Sequence, residues 1–209
     1  MIRLYAADIR QLDGCSEAHF ARISLERRQR INAMKSETDK QRCLAAGLLL
    51  DTVFKKRAKT EIQRDAHGKP MLPGGPCFNI SHAGNYAVLA VSEQTIGVDI
   101  ERWRRADTAA LAKRFYHPEE QAVLAAAEDP VERFFTIWAL KESYVKALGT
   151  GFSLSPSSFA VLPNGSADAA LLGEPNYHFK RYFDFPGYAL AICALEDEFP
   201  DAPTVLSYD

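Results

Sequence analysis

The chain has 209 residues, of which 47% are hydrophobic and 25% are charged, and its formal net charge is -2. This size and apolar content suffice for one substantial globular domain or two small packed lobes, which argues against extensive disorder. Because basic residues are not in excess, any affinity for phosphate groups has to come from local clusters, and general nucleic-acid binding is disfavoured.

Cysteine usage and the N-terminal segment bear on the cellular compartment. The cysteines are scattered without metal-binding spacing, which predicts reduced and mostly buried thiols; they are Cys15, Cys43, Cys77 and Cys193. The chain starts in a strand-like segment, Met1–Ala6, and not in a secretion signal. No stretch approaches the ~20 apolar residues that a bilayer crossing requires. We therefore expect a cytoplasmic enzyme that does not contact membranes.

The first half of the chain predicts a long helix followed by a group of strands. Ser36 is a suitable N-cap, and apolar residues then recur at helical spacing from about Glu37 to Lys56. After the helix, Gly68 and Pro70 indicate a turn. Short β-like runs predict three strands, which lie at Cys77–Ser81, Tyr86–Val91 and Ile96–Glu101.

The second half predicts a similar order of elements. A long helix over Pro130–Leu148 is ended by glycines, and strands are predicted around Tyr177–Phe183 and Tyr188–Ala194. The halves therefore resemble pseudo-repeats, although two strands of similar composition could arise independently. We place the boundary in the charged segment Trp103–Asp107, which gives an N-terminal lobe of 1–102 and a C-terminal lobe of 103–209.

Three carboxylates in two segments are the candidate metal ligands. In the predicted strand, Asp99 and Glu101 point to the same face because side chains alternate. Glu142 interrupts an aromatic-rich helix face, where an unpaired buried charge would cost several kcal/mol and a cation would compensate it. Oxygen-only ligation suits Mg²⁺. The competing interpretations are a half-buried edge strand and, for Glu142 with Lys146, a surface ion pair.

Candidate phosphate ligands lie before these elements in the chain. Ser81 and His82 end a predicted strand at a polar turn, where hydroxyl, imidazole and free amide groups suit phosphate. A serine hydrolase is disfavoured, because adjacent strand residues point to opposite faces and no G-x-S-x-G motif is present. Most other basic residues are expected to be solvated, with a few facing the metal site; they are Lys69, Arg27, Arg28, Arg30, Lys35, Lys40 and Arg42.

Taken in order, four motifs resemble those of the 4'-phosphopantetheinyl transferases, in particular the longer single-chain class that activates surfactin synthetase (Sfp-like). The motifs are Gly68–Pro70, Phe78–His82, Ile96–Glu101 and Trp138–Lys146. The resemblance implies an α+β fold in which two similar α/β lobes form a pseudo-dimer within a monomer. It also implies an enzyme of the holo-[acyl-carrier-protein] synthase type, which transfers the 4'-phosphopantetheine arm of coenzyme A to a serine of an apo acyl or peptidyl carrier protein.

The resemblance gives the candidate metal site a role in this transfer. Asp99, Glu101 and Glu142 would hold Mg²⁺ against the pyrophosphate of coenzyme A. Lys146 would add positive charge on the side of the leaving group, adenosine 3',5'-bisphosphate, and Lys141 would help nearby. Fatty-acid, polyketide and nonribosomal-peptide carriers all stay open as partners.

Further roles rest on the same resemblance. The positions that match coenzyme A contacts of the family are Lys35, Arg42, Lys69, Ser81 and His82. Glu120 lines up with a glutamate proposed as the base toward the carrier serine, with Glu142 or a metal-bound water as alternatives. We expect the carrier to dock around Phe115–Val123.

Two other functional classes compete with the transferase. A Mg²⁺-dependent coenzyme A or nucleotide pyrophosphohydrolase also needs clustered carboxylates, but its dense glutamate-rich helix is missing here. In a non-catalytic module that binds carrier proteins, replacement of Asp99 by Ala should leave carrier binding largely unchanged. In the transferase, the same replacement should abolish turnover.

Overall fold

The computed structural model describes residues 1–12, 16–165, 167–174 and 176–208, without the side chain of Phe152. The described helices are α1 (Glu17–Arg22), α2 (Leu25–Ala33), α3 (Glu37–Phe54), α4 (Arg57–Thr60), α5 (Thr108–Phe115), α6 (Pro118–Ala125) and α7 (Pro130–Leu148). The described strands are β1 (Arg3–Asp8), β2 (Gln63–Arg64), β3 (Pro70–Met71), β4 (Cys77–Ala83), β5 (Tyr86–Ser92), β6 (Ile96–Arg102), β7 (Val161–Asn164), β8 (Asp168–Leu171), β9 (His178–Tyr182), β10 (Tyr188–Ala194) and β11 (Thr204–Leu206).

Both predicted long helices are confirmed, and local capping explains their ends. The Ser36 side chain accepts from the backbone N–H of Asp39 at the start of α3. At α7, the Asp129 carboxylate accepts from two backbone N–H groups, and Pro130 occupies the first turn, where its missing N–H costs nothing. Gly149 ends α7 with a φ of 71°, a left-handed conformation that favours glycine.

Two sheets lie at the centre of the molecule. The first has the strand order β11-β1-β5-β4, and the second has the order β6-β10-β9-β8-β7. Their pairings are antiparallel except for the parallel pair β1–β11. The strands predicted in the first and second halves are therefore confirmed.

Alternation along the strands explains how the layers pack. In β5, Leu89 and Val91 face the cluster around α3, whereas Val88 and Ala90 face a cluster formed between the two sheets. Strand β10 is divided in the same way between the α7 cluster and the central cluster. Each sheet thus carries a long helix on its outer face, and the predicted α+β class is confirmed.

Strand pairing crosses the predicted lobe boundary at two places. Strand β6 precedes the boundary but pairs with β10 in the second sheet. Strand β11 follows the boundary but pairs with β1 in the first sheet. The charged segment Trp103–Asp107 follows β6 and does not separate the sheets, because pairing partners are set by the tertiary fold and not by local composition. The division into 1–102 and 103–209 stays a prediction.

The structure also bears on membrane-spanning helices and on the state of the cysteines. Within the described ranges, none of the helices has both the length and the apolar character needed to cross a bilayer. Cys43 and Cys193 are buried free thiols and Cys77 is an exposed one, whereas Cys15 lies outside the described residues.

Candidate active site

Strands β4 and β6 and helix α7 meet around the carboxylate of Asp99. Ser81 Oγ donates a hydrogen bond to Asp99 Oδ1 at 2.8 Å and accepts one from Lys146 Nζ at 3.0 Å. Lys146 also forms an ion pair with Asp99. Asp99 is 3% exposed, and its second oxygen, Oδ2, is buried without a hydrogen-bond partner in the described part of the chain. One carboxylate oxygen is therefore anchored and the other is free to bind a cation.

The close approach of β6 to α7 depends on Gly97. A Cβ at this position would collide with the backbone of Ser143 and of Ala147. Because Asp99 follows two residues later, it lies on the same face of the strand and also points toward the helix. The spacing of Glu142 and Lys146 places these two side chains one above the other on α7. Gly97 therefore allows the strand and helix groups to share one site.

The three predicted metal ligands line a single cavity of about 350 Å³. Burial raises the pKa of Glu101 and of Glu142, and the negative charge of Asp99 raises both further. Glu101 also forms an ion pair with the exposed Arg104 at 3.4 Å. Such a concentration of carboxylate oxygens is stabilised by a hard divalent cation, so these residues fit Mg²⁺.

The carboxylates do not form a closed cage. Within the described residues, no group of three or more histidine, cysteine, aspartate or glutamate side chains is already gathered around one metal position. Mg²⁺ is commonly held by one or two carboxylates, with waters and substrate phosphates completing its shell. The open cavity is compatible with that mode of binding.

The lining of this cavity also includes positively charged side chains. These are Arg27 and Arg30 from α2 and Arg64 from β2. His82 is exposed at the rim, yet the surrounding protein atoms lower its pKa by desolvation. The positive charges that lower this pKa further are those of Arg42, Lys146 and Arg30. Arg27 and Arg30 had only been part of a general basic series in the sequence, but their i,i+3 spacing was a usable sign that they share a helix face.

A second cavity, of about 400 Å³, adjoins the polar one, because Glu142 and Lys146 line both. Its walls are mainly apolar, and Asn79 contributes a carboxamide. The apolar side chains are Phe115, Trp138, Val145, Leu154, Pro70 and Pro156. The site thus combines a charged chamber with an apolar groove, and the two meet at Glu142.

Two predicted site residues, Glu120 and Lys141, lie outside both cavities. Lys141 Nζ is 2.6 and 2.7 Å from the two Glu120 carboxylate oxygens and donates to the Phe159 carbonyl at 2.7 Å. The side chains of Lys141 and Glu120 are only 1% and 0% exposed. Glu120 also accepts from the backbone N–H groups of His117 and Val161. Both side chains are engaged in a buried ion pair outside the cavities, so the base role of Glu120 and the helper role of Lys141 stay predictions that this geometry does not support.

Lys69 was predicted to contact coenzyme A, but its ammonium is used by the protein. It donates to the carbonyl oxygens of Lys146, Ala147 and Ile96, at 2.6, 3.0 and 3.3 Å. An ammonium has three N–H donors, so this arrangement leaves none for phosphate. Through these hydrogen bonds, Lys69 links the turn before β3 to the C-terminal end of α7 and to β6.

Arg42 and Lys35, which were also predicted to contact coenzyme A, are placed differently from each other. Arg42 forms an ion pair with Asp39 and donates to the Gly84 carbonyl at 3.2 Å, which holds the turn that follows His82. Lys35 is exposed between α2 and α3 and is not among the residues that line the polar cavity. Arg27 and Arg30 therefore line the polar cavity, whereas Arg42 and Lys35 do not, and the predicted coenzyme A contacts of the latter two stay predictions.

Comparisons with known proteins assign the family. The model of the 4'-phosphopantetheinyl transferase superfamily matches residues 95–193, and a second model, described as 4'-phosphopantetheinyl transferase, N-terminal, matches residues 15–94. The 4'-phosphopantetheinyl transferase Sfp of Bacillus subtilis (strain 168) is 31% identical over 207 residues, which cover 93% of this chain and 92% of that protein. The chain belongs to the 4'-phosphopantetheinyl transferase family. Another Bacillus subtilis 4'-phosphopantetheinyl transferase is 32% identical over 209 residues, covering 94% of this chain and 92% of the relative.

The family and function predicted from the four motifs are therefore confirmed: this transferase moves the phosphopantetheine arm of coenzyme A to a carrier protein. A solved holo-[acyl-carrier-protein] synthase (AcpS) from Neisseria meningitidis is 22% identical and covers 48% of this chain and 95% of that chain, with a TM-score of 0.42. That match is too loose to support any further conclusion.

Proposed function

We propose that the charged chamber binds the pyrophosphate of coenzyme A together with Mg²⁺, and that the enzyme is a transferase of the holo-[acyl-carrier-protein] synthase type. The observation that carries this proposal is that Asp99, Glu101 and Glu142 line one cavity together with three arginine side chains. The buried, unpartnered Oδ2 of Asp99 supports a cation at this point. When bound, Mg²⁺ would neutralise negative charge on the pyrophosphate and favour attack at phosphorus.

Positive side chains of this chain would stabilise the phosphate groups directly. Lys146 lies at the junction of the two cavities, where its ammonium is aligned by Asp99 and Ser81. Arg27 and Arg30 face the chamber from α2 and would bind the nucleotide phosphates. Groups that are already oriented toward developing charge stabilise it without further reorganisation.

Glu142 is the carboxylate best placed to accept the proton of the carrier serine, because it lines both the charged chamber and the apolar groove. In the proposed step the serine oxygen bonds to the phosphorus next to the pantetheine arm, and its proton passes to Glu142. The bond from that phosphorus to the bridging oxygen breaks, and adenosine 3',5'-bisphosphate leaves with the electron pair.

The decisive experiment follows the intact mass of apo carrier proteins incubated with the enzyme, coenzyme A and Mg²⁺, with and without chelator. We expect a chelator-sensitive gain of one phosphopantetheine arm. Asp99→Asn should lower turnover by at least ~100-fold, whereas the matched control Asp184→Asn, at an exposed position, should leave turnover unchanged. Retained thermal stability of Asp99→Asn would exclude unfolding as the cause.

The outcomes separate the parts of the proposal. Failure of every acyl and peptidyl carrier to gain mass would overturn transfer itself. Consumption of coenzyme A without carrier would instead support a pyrophosphohydrolase. Full transfer in chelator, or full activity of Asp99→Asn, would overturn the metal site.

We also propose that the carrier docks beside the mouth of the groove, at Phe115–Val123, and that the enzyme acts as a cytoplasmic monomer. Phe115 lines the groove and stacks edge-to-face on Trp138, which fixes its position. Reversing the charge of the exposed Glu119 should change the KM for the carrier while the KM for coenzyme A stays constant. Unchanged kinetics for every carrier would count against this surface.

A further inference from the structure

Asn79 has a buried carboxamide and does not line the charged chamber. It is 6% exposed, lies on β4 and lines the apolar groove. Its Oδ1 accepts a hydrogen bond from the backbone N–H of Val98 at 3.0 Å. This bond fixes the orientation of the carboxamide, because a backbone N–H can pair only with the oxygen end.

The nitrogen end of Asn79 is available to a ligand in the groove. Among the hydrogen bonds of the described residues, Asn79 Nδ2 donates none. It is also not one of the fully enclosed polar atoms that lack a partner in the described part of the chain, so it is accessible. Of the neighbouring cations, Lys69 donates to carbonyl oxygens, and Lys146 is held at the charged chamber by its ion pair with Asp99. Asn79 therefore offers a fixed neutral donor within mainly apolar walls.

The strand sets the distance between this donor and the charged chamber. Asn79 and Ser81 lie on the same face of β4, since Phe78 and Ile80 pack into the opposite cluster around α3. Two residues along a strand correspond to about 7 Å. Ser81 contacts Asp99 and Lys146 in the charged chamber. Asn79 lies two residues away along the strand and lines the apolar groove.

The chemistry of the pantetheine arm matches this arrangement. After its phosphate the arm carries a dimethyl-substituted carbon, then a carbon with a hydroxyl group, and then an amide, so a bulky apolar group is followed by a hydroxyl and a carbonyl acceptor. Given the proposed function, we infer that the groove binds the arm and that Asn79 Nδ2 donates a hydrogen bond to the first amide carbonyl. Asn79 then sets the direction in which the arm leaves the reacting phosphorus and distinguishes the arm from a plain hydrocarbon chain.

A chemical double-mutant cycle tests this contact. The ligands are coenzyme A and an analogue whose first amide is replaced by a hydrocarbon segment, and the enzymes are the wild type and Asn79→Asp. Aspartate keeps an acceptor for Val98 but lacks the N–H donor. The wild type should bind coenzyme A about 5- to 100-fold more tightly than the analogue, and Asn79→Asp should lose most of this preference.

The cycle separates the contact from general damage, because disturbance of β6 would weaken both ligands equally. Adenosine 3',5'-bisphosphate, which has no arm, is the second control, and the ratio of its Kd to that of coenzyme A should fall in Asn79→Asp. Asn79→Leu, which removes both ends of the carboxamide, should lose the same preference and also lower thermal stability. Equal discrimination by the wild type and both variants would overturn the inference. Failure of the wild type to bind coenzyme A at all would instead overturn the proposed function.

Discussion

Replacing Lys141 by methionine tests the ion pair buried behind the active site. Methionine fills a similar volume but removes the ammonium that contacts both Glu120 oxygens, at 2.6 and 2.7 Å. Because both side chains are almost fully enclosed, the glutamate would be left as an uncompensated buried charge. The expected loss in the free energy of unfolding is about 3–5 kcal/mol at neutral pH. That is a large fraction of the ~5–15 kcal/mol typical of a folded domain.

The loss should depend on pH in a defined direction. Burial raises the pKa of Glu120, and the charge of Lys141 opposes this rise, so Lys141→Met raises the folded-state pKa further. A carboxyl group with a raised folded-state pKa contributes stability below its unfolded pKa of about 4.3, and this contribution is lost as pH rises through the folded-state value. Relative to the wild type, the variant should therefore be most stable in acid and least stable at neutral pH.

Urea denaturation of the wild type, Lys141→Met and the double variant Lys141→Met/Glu120→Gln measures this effect. The double variant carries no charge at these two positions and keeps an acceptor for the Val161 N–H, so it should recover to within about 1–2 kcal/mol of the wild type. The folded double variant should also retain transfer, because Glu120 does not line either cavity. A neutral-pH loss below about 1 kcal/mol for Lys141→Met would refute the reasoning on stability. Abolished turnover in a stable double variant would restore Glu120 as a candidate base.

Two further changes test how the site is assembled. Gly97→Ala should lower the free energy of unfolding by about 1–3 kcal/mol and remove most of the turnover, because β6 and α7 must separate. The control Gly173→Ala lies in open space at a φ of 84°, so it should lower the free energy of unfolding by about 1–2 kcal/mol through backbone strain but keep turnover. Wild-type turnover in Gly97→Ala would contradict this explanation. Tyr188→Phe removes the hydroxyl that accepts from the Asn85 N–H at 2.9 Å, so hydrogen exchange at Asn85 should accelerate and stability should fall by about 1 kcal/mol. Unchanged protection of Asn85 would show that this bond contributes little.

The parts of the site that could be predicted from sequence are those fixed by local geometry. Asp99 and Glu101 share a strand face because they are two residues apart, and Glu142 and Lys146 share a helix face because they are four apart. Their assignment to one cavity needed only the packing of β6 against α7. The apolar groove was not predicted, since its walls come from several loops and helices that are distant in sequence.

Three predicted site residues are paired within the protein, and their pairing has a common physical cause. Lys69, Lys141 and Glu120 match motif positions of the family, but a motif match cannot show whether a charged side chain is paired with the protein or with a ligand. The partners of Lys141 include the Phe159 carbonyl, 18 residues away, and Lys69 bonds to the Lys146 carbonyl, 77 residues away. Such pairings arise only when the elements have packed.

The distribution of charge gives the two sheets a shared role. Arg27, Arg30 and Arg64 come from elements before β4, whereas the carboxylates come from β6 and α7 on the second sheet. Each set alone would concentrate charge of one sign, which is unfavourable without a counter-charge. A cation bound together with a pyrophosphate would neutralise both sets of charges at once. This requires the two sheets to stay in contact through the central cluster. Binding of coenzyme A should therefore stabilise the folded protein by an amount that grows with the logarithm of ligand concentration above the Kd, which links the active site to the contact between the two sheets.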